Sequence, residues 1–202
     1  MTEPKFNDEK MYTYLKGYLT AAGWTDALNA LIFARQAHKG QTRKSGEPYI
    51  IHPMTMACHA LALGIKNEDI IAAALLHDVL EDCDVDARDL PIKNEATRQA
   101  IIKLTHEKGT PLEPYYAKIQ EDPVASIVKL LDRCDNVSTM AGVFTNEKTV
   151  DYIHESDTYV MPLYKNAKKH WRFSDYYPAL FVIKYHILSV TDSLRAVLEG
   201  QN

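Results

Sequence analysis

Apolar residues recur along this chain mostly at intervals of three and four positions, and no convincing run of alternating residues indicates a strand. That spacing is typical of amphipathic helices, whereas strands show a two-residue period. The pattern therefore predicts an all-α fold of about eight to ten helices. In chain order, the predicted helices cover roughly residues 8–19, 25–38, 53–63, 69–82, 94–105, 114–120, 123–135, 148–166 and 178–198.

The predicted helix over residues 69–82 is apolar on every side until two pairs of ionisable residues interrupt it. His77 and Asp78 form the first pair, and Glu81 and Asp82 form the second. An apolar environment accepts such groups only when their charge is compensated. Residues four apart share a helical face, so one cation can sit between these side chains. For Glu81 and Asp82 a second interpretation stays open, namely a helix end that emerges into solvent.

Two further residues extend this pair into a candidate metal site. His52 precedes Pro53 at a predicted helix start, and Asp132 lies within the apolar run of the helix over residues 123–135. Two imidazoles and two carboxylates form a donor set that suits Mn²⁺, Fe²⁺ or Zn²⁺. Mg²⁺ suits it less well, because that hard ion prefers oxygen ligands.

Composition and charge narrow the classes of protein. The 202 residues, 46% of them apolar and 25% charged, suit one globular domain. The net charge of −4 argues against sequence-independent nucleic-acid binding. No run of about 18 apolar residues predicts a membrane span, and residues 1–10 lack the apolar core of a secretory signal. Three cysteines without a CxxC pair indicate a reduced, cytoplasmic setting.

The order of His52, His77-Asp78 and Asp132 resembles the H…HD…D pattern of the HD-domain metal-dependent phosphohydrolases. Segments 34–53, 71–82 and 128–136 resemble hydrolase motifs of the RelA/SpoT alarmone enzymes, and segment 152–163 resembles the helix that follows. The resemblance covers roughly residues 25–165. It implies one HD hydrolase domain over residues 1–202, of the small stand-alone type that includes the metazoan SpoT homologue. The C-terminal helices over residues 148–198 are expected to pack on its core.

The resemblance implies a role for each motif residue and a reaction. The reaction is removal of the 3′-pyrophosphate from guanosine 3′,5′-bispyrophosphate (ppGpp), which leaves a 5′-phosphorylated nucleoside. The implied ligands of one metal, usually Mn²⁺, are His52, His77, Asp78 and Asp132. Glu81 and Asp82 would orient the attacking water and move its proton, as general acid–base catalysis requires. Arg43 and Lys44 would meet the phosphates, and Asn136 would contact the nucleotide.

Three residues depart from the family pattern. Cys83 stands where the family usually has Thr, Asp135 replaces a usual His, and Ser138 replaces a usual Arg. The last two are expected beside the base pocket and are expected to leave the metal ligands unaffected. They leave open an adenosine alarmone, (p)ppApp, as the preferred substrate. A phosphatase acting on another nucleotide, such as NADPH or a deoxynucleotide, and a non-catalytic alarmone sensor are the alternatives.

Other polar and apolar features each have two interpretations. His38 fits a buried, hydrogen-bonded histidine better than a fifth metal ligand. Arg133 could contact substrate or pair with a neighbouring acid. The basic residues within 165–172 fit a solvated face better than an outer clamp for phosphates. The last helix has more apolar residues than one core stripe needs, so a homo-oligomeric contact there is a further hypothesis.

Overall fold

The computed structural model describes residues 7–200, which form helices and connecting turns. A 3₁₀ turn lies at Ala87–Asp89, and a π-helical segment, Ser156–Val160, joins α9 to α10. The only extended pairing among residues 7–200 is a bridge between Thr42 and Pro48. The α-helices are α1 Asp8–Ala22, α2 Thr25–Ala37, α3 Ile51–Ala62, α4 Glu68–Leu76, α5 Val79–Asp82, α6 Glu95–Leu104, α7 Leu112–Gln120, α8 Pro123–Thr139, α9 Asn146–Glu155, α10 Met161–His170 and α11 Tyr177–Glu199.

The predicted all-α class is confirmed. The described residues contain nine helices of at least nine residues when α9 and α10 are taken as one continuous rod and the single turn α5 is set aside. This number lies within the predicted range. None of the helices in the described part of the chain is both long and apolar enough to cross a bilayer.

Helix α4 forms the centre of the molecule. Residues 70–76 are all buried, and the helix packs against α2, α3, α6 and α8. A helix that is apolar on every side is stable only when neighbours cover every face. Asn67 starts it by accepting a hydrogen bond from the Ile70 amide at 3.0 Å. The buried core around α4 is continuous from Leu15 to Ile187.

Helix α8 is the second structural axis and passes beside α4. The Asp122 carboxylate caps its start by accepting from the Val124 and Ala125 amides, both at 3.0 Å. Pro123 occupies the first turn, where a missing N–H has no cost. The helix packs against α4, α10 and α11, so it joins the N-terminal half to the C-terminal helices.

The prediction of one continuous helix over residues 69–82 is wrong, because the helix is interrupted after Leu76. Helix α4 ends at Leu76, and Asp78 has a backbone ψ of −7° before the single turn α5 begins. The His77 imidazole Nδ1 lies 2.9 Å from the Ala74 carbonyl oxygen. In an uninterrupted helix that carbonyl accepts the amide four residues later. A side chain of the candidate site thus takes part in ending the helix.

The predicted helix over residues 148–166 extends further at both ends. It begins at Asn146 and continues through the π-helical segment to His170. Pro162 has no N–H, so the carbonyl four residues earlier, at Thr158, has no α-helical partner, and the register widens there. Most of the basic stretch therefore lies on α10 instead of between two helices.

We expect the interior of α4 to tolerate truncation poorly. Ile71 is fully buried, whereas Ile32 on α2 is 47% exposed. Ile71→Ala should lower the free energy of unfolding by about 2–5 kcal/mol, because it removes buried methyl groups and leaves a cavity. Ile32→Ala makes the same chemical change and should cost less than about 1 kcal/mol. Urea denaturation followed by circular dichroism measures both values, and equal losses would contradict a buried central α4.

Candidate active site

Four side chains from three parts of the fold converge at one point. His52 comes from the first turn of α3, His77 and Asp78 lie between α4 and α5, and Asp132 lies in the middle of α8. The Nε2 atoms of His52 and His77 are 3.2 Å apart. Asp78 Oδ2 is 2.9 Å from His77 Nε2, and Asp132 Oδ1 is 3.3 Å from His52 Nε2. The predicted ligand set is therefore brought together in space.

Both imidazoles are held so that Nε2 faces this common point. His52 Nδ1 lies 2.5 Å from Asp135 Oδ2, and His77 Nδ1 lies 2.9 Å from the Ala74 carbonyl oxygen. Metal-ligating histidines usually use one ring nitrogen for the metal and the other for such an anchor. The two rings are thus oriented as ligands before any ion binds.

Neighbouring positive charges lower the pKa of both carboxylates, although Asp132 is buried and Asp78 is half-buried. Burial opposes the charge of Asp132, but the Lys129 ammonium, 2.8 Å from Oδ2, and the adjacent His52 hold its pKa well below the ordinary value. Burial also opposes the charge of Asp78, and His77 and His52 lower its pKa in the same way. Tyr49 Oη, 2.7 Å from Asp78 Oδ2, further supports that oxygen.

The cluster attracts positive charge. Burial lowers the pKa of His52, yet its contacts with Asp132 and Asp135 outweigh burial and raise the pKa to about 9. Even without Asp132, the residues His52, His77 and Asp78 each offer one ligand atom, and these three atoms lie within 4.8 Å of one another. Two imidazole nitrogens and nearby carboxylate oxygens, in surroundings that stabilise positive charge, fit a divalent metal ion.

Glu81 and Asp82 line the same cavity, which has a volume of about 300 Å³. Both are exposed on its wall, and neither is one of the converging ligands. Glu81 accepts a hydrogen bond from the His106 amide at 3.1 Å, and partial shielding of its carboxyl from water by the cavity wall raises its pKa. Asp82 accepts from Tyr49 Oη at 2.7 Å. Two acids with different environments therefore stand at the edge of the cluster.

A second cavity, of about 700 Å³, adjoins the first and shares Tyr49 and Asp82 with it. Its lining includes Arg43, Lys44, Lys108 and Lys148. Lys44 and Lys148 place their ammonium groups 5.7 and 4.1 Å from the centre of the Phe144 ring. Burial and the nearby Lys44 lower the pKa of Lys148. This basic cavity suits a substrate that carries several phosphates.

Arg43 and Asn136 are hydrogen-bonded to each other, and Asn136 is also hydrogen-bonded to Asp132 of the cluster. Arg43 donates to Asp135 Oδ2 and to Asn136 Oδ1, both at 2.8 Å. Asn136 Nδ2 in turn donates to Asp132 Oδ1 at 2.5 Å. The structure therefore places both predicted substrate residues beside the cavities while using part of their hydrogen-bonding capacity within the protein.

Asp135, which was expected to leave the metal ligands unaffected, lies in direct contact with one of the predicted ligands. Asp135 contacts the Nδ1 atom of His52 directly and forms an ion pair with Arg43. Its position explains why, because it lies one helical turn after Asp132 on α8 and shares its inward face. The departure at this position is therefore in a place where it can influence the orientation of a predicted ligand.

Sequence reasoning missed two supporting residues, Tyr49 and Lys129. Each lies three positions before a ligand, Tyr49 before His52 and Lys129 before Asp132. On α8 that spacing places Lys129 over Asp132. The same spacing is therefore the signal that could have identified Lys129. No comparable signal predicts that the Tyr49 hydroxyl reaches both Asp78 and Asp82, since these contacts cross between separate segments.

Two alternatives left open by the sequence now have a definite geometry. His38 is buried, contacts Gln41 Oε1 at 2.7 Å through Nδ1, and stacks on Tyr49, with ring centres 4.7 Å apart. It is not among the grouped ligand atoms of the described residues. Arg133 is fully buried, and its guanidinium pairs with Glu155 at 2.5 Å. Arg133 thus pairs with an acid, one of the two interpretations.

Several known proteins are similar to this chain. Residues 30–107 match the family model described as HD domain. Two guanosine-3′,5′-bis(diphosphate) 3′-pyrophosphohydrolases are similar to this chain. That of Aquifex aeolicus is 36% identical over 163 residues, which make up 72% of this chain and 23% of the relative. That of Vibrio cholerae is 35% identical over 144 residues, which make up 65% of this chain and 20% of the relative. The chain thus spans about a fifth of the length of these curated relatives.

A solved structure shows the same fold. It belongs to a protein described as a metazoan ortholog of SpoT that hydrolyzes ppGpp. The TM-score is 0.59 at 21% sequence identity, and the match covers 78% of this chain and 93% of the other. The chain therefore contains an HD domain. Within that class it is similar to the RelA/SpoT-type 3′-pyrophosphohydrolases, in agreement with the resemblance drawn from its motifs.

We expect Asp135 to support metal binding without being a ligand. Asp135→Asn removes the charge that anchors His52 Nδ1, and loss of such an anchor typically weakens metal affinity about 10–100-fold. Asp151→Asn, at an exposed position of α9, makes the same change away from the site and should have no effect. Calorimetric titration of the metal-free protein with Mn²⁺ measures both. Unchanged affinity in Asp135→Asn would show that this contact does not orient the ligand.

Proposed function

We propose that this chain hydrolyses (p)ppGpp-type alarmones by removing the 3′-pyrophosphate. The observation that carries the proposal is the cluster of His52, His77, Asp78 and Asp132 beside a basic cavity of about 700 Å³. The relatives named above have this activity in their names, which supports the same reaction here. One domain over residues 1–202 would carry the activity, and a small nucleotide would be its substrate.

In this proposal His52, His77, Asp78 and Asp132 hold one divalent metal. Mn²⁺ is proposed from the family resemblance, with Zn²⁺ and Fe²⁺ as alternatives that the donor set also suits. When bound, such an ion polarises phosphoryl oxygens and makes water more acidic. The protein's own contribution is orientation. Asp135 and the Ala74 carbonyl fix the two imidazoles, and Lys129 fixes Asp132.

Glu81 and Asp82 are proposed to manage the proton of the attacking water. A carboxyl whose pKa is raised by partial shielding from water, as that of Glu81 is, can exchange protons closer to neutral pH. Asp82, held by the Tyr49 hydroxyl, is proposed to orient the water. The water oxygen forms a bond to the phosphorus attached to the ribose 3′ oxygen, and the bond between that phosphorus and the 3′ oxygen breaks. The electron pair of the broken bond stays on the ribose oxygen, which takes up a proton, and the oxygen of the water leaves as part of the pyrophosphate.

The phosphates of the substrate are proposed to lie over the basic cavity. Lys44 and Lys148 present ammonium groups there, and Arg43 has further N–H donors besides the two that bind Asp135 and Asn136. Asn136 would contact the nucleotide with the rest of its amide group.

The base of the substrate is the open choice within this proposal. Ser138 hydrogen-bonds His186 Nε2 at 2.7 Å, and Asp135 is occupied by His52 and Arg43. Ser138 and Asp135, the two departures expected beside the base pocket, thus already bind other side chains of the protein. These contacts favour a base pocket different from that of the guanosine enzymes. The proposal therefore includes an adenosine alarmone, (p)ppApp, as the substrate that this chain would prefer. A phosphatase for another nucleotide, such as NADPH, is the second candidate on the same observation.

The test is product analysis with ppGpp, pppApp and NADPH in the presence of Mn²⁺. Release of pyrophosphate from an alarmone over many turnovers would support the proposal and exclude a binding-only sensor. Asp78→Ala should abolish metal binding and turnover together. Glu81→Gln should retain the metal but lower kcat by about 10²–10⁴-fold, the usual contribution of a positioned acid or base.

Glu113→Gln, at an exposed position of α7, is the matched control for Glu81→Gln and should keep full turnover. Chromatographic separation of nucleotides and pyrophosphate provides the rates, and calorimetry with Mn²⁺ provides the metal affinity. If both alarmones stay intact while the metal binds, the proposed reaction is wrong.

We also expect the basic cavity to determine the affinity for substrate. The double variant Lys44→Ala/Lys148→Ala should raise KM about tenfold or more and affect kcat less, because it removes charge-assisted contacts with phosphate. Lys66→Ala/Lys118→Ala removes two exposed lysines elsewhere and should leave KM unchanged. Steady-state kinetics on the alarmone that is hydrolysed faster measures the difference. An equal KM in the two double variants would show that phosphates bind elsewhere.

A further inference from the structure

A third cavity, of about 600 Å³, lies between α10 and α11. It shares no lining residue with the two cavities at the candidate active site. Trp171, which follows α10, donates from Nε1 to the Pro123 carbonyl at 3.1 Å. Pro123 starts α8 nine residues before Asp132, or about 13 Å along the helix. The end of α10 is thereby held well away from the cluster of His52, His77, Asp78 and Asp132.

The lining of this cavity contains five cations and no acid: Lys165, Lys168, Lys169, Arg172 and Lys184. Within residues 7–200 no ion pair to any of these five is found, although the chain as a whole carries a net charge of −4. Like charges three and four residues apart on a helix repel one another. An anion that binds between them would relieve this repulsion.

Helix electrostatics explains only part of this arrangement. Cations in the last turn of a helix are stabilised by its dipole, which accounts for Lys168 and Lys169 at the end of α10. Lys184 lies in the interior of α11, far from either end, and gains nothing from that dipole. Because Lys184 comes from a separate helix and faces the same cavity, the charges meet through tertiary packing.

The cavity also has an aromatic and apolar wall. The buried Tyr164 ring lies between two ammonium groups, with Lys168 Nζ at 5.7 Å and Lys184 Nζ at 5.3 Å from its centre. Lys168 Nζ is also 5.5 Å from the centre of the exposed Tyr177 ring. Met161 and Leu188 complete this wall. A planar ring can pack against such a surface while anionic groups reach the lysines.

We propose that the cavity between α10 and α11 is a second binding site, for a nucleotide whose phosphates meet the lysines and whose base packs on Tyr177. The site is independent of the hydrolysis proposed above, and its occupancy needs neither the metal nor turnover. It fits one nucleotide with several phosphates, because its volume of about 600 Å³ is within the range of small-molecule sites and its charge calls for a polyanion.

The test follows the methyl group of Met161, which lies in the cavity wall, by NMR of protein labelled at its methionine methyl groups. Its signal is assigned with Met161→Leu. ATP, inorganic triphosphate and adenosine are titrated separately, in EDTA and at low ionic strength. We expect ATP to shift the Met161 signal at the lowest concentration, triphosphate to need roughly tenfold more, and adenosine to need the most.

Variants identify the side chains responsible. Lys168→Ala/Lys184→Ala should weaken ATP binding about tenfold or more, since two charge-assisted contacts are lost. The matched control Lys10→Ala/Lys16→Ala, on exposed positions of α1, removes the same charge and should leave binding unchanged. Lys165→Ala/Lys169→Ala is a second variant for use if the first is poorly folded, as judged by thermal melting. Lys44→Ala/Lys148→Ala should leave the Met161 response intact, which separates this site from the active site.

Tyr177 tests the aromatic part of the proposal. Tyr177→Ala should weaken ATP binding and leave triphosphate binding unchanged, whereas Tyr177→Phe should retain both. Equal affinities for triphosphate and ATP would overturn the assignment to nucleotides, and no Met161 shift with any probe would overturn the site. A further outcome is that the protein sediments with vesicles of phosphatidylcholine and phosphatidylserine while ATP causes no shift of the Met161 signal. This result would assign the cations to a lipid surface and would also overturn the proposal.

Discussion

The structure depends on compensating the charge of two carboxylates, of which Asp132 is buried and Asp78 is half-buried. Asp78 and Asp132 lie among apolar helices, where an unpaired charge costs several kcal/mol. His52, His77 and Lys129 supply the opposing charge, and Tyr49 and Asn136 supply hydrogen bonds. Each of these partners comes from a segment that must be in place for the others to be satisfied. The polar centre is therefore complete only when the helices around it are packed.

The helix at the centre of the core and the site are parts of one arrangement. Helix α4 is covered on every face, and its last turn delivers His77 to the cluster through the bond to the Ala74 carbonyl. Helix α8 presents Asp132 inward, with Lys129 one turn before it and Asp135 one turn after it. Because such packed interiors are dense and resist deformation, the positions of the two helices set the distances between the ligands.

The molecule concentrates positive charge in two separate regions although its net charge is negative. Beside the candidate active site the cations lie close to acids, and Arg43 is paired with Asp135. Between α10 and α11 no acid lines the cavity. The first region balances part of its charge within the protein, through the pair of Arg43 with Asp135, whereas the lining of the second region contains no acid at all. Neither arrangement follows from the overall charge.

The sequence alone determined the helical class, the position of most helices and the identity of the four converging side chains. The reason is that helical periodicity and the capping residues Asn67 and Asp122 are local signals, and the ordered motif segments extend around each ligand. The break after Leu76 could not be predicted, because it depends on where the His77 ring is held in the folded core.

Only the tertiary structure decided which residues support that set and where the remaining charges meet. Asp135 anchors His52 across 83 positions of sequence, and Tyr49 reaches Asp78 across 29. Lys184 joins the lysines of α10 only because α11 packs against that helix. Contacts between segments so far apart along the chain depend on the relative placement of whole helices, which no local pattern of residues specifies.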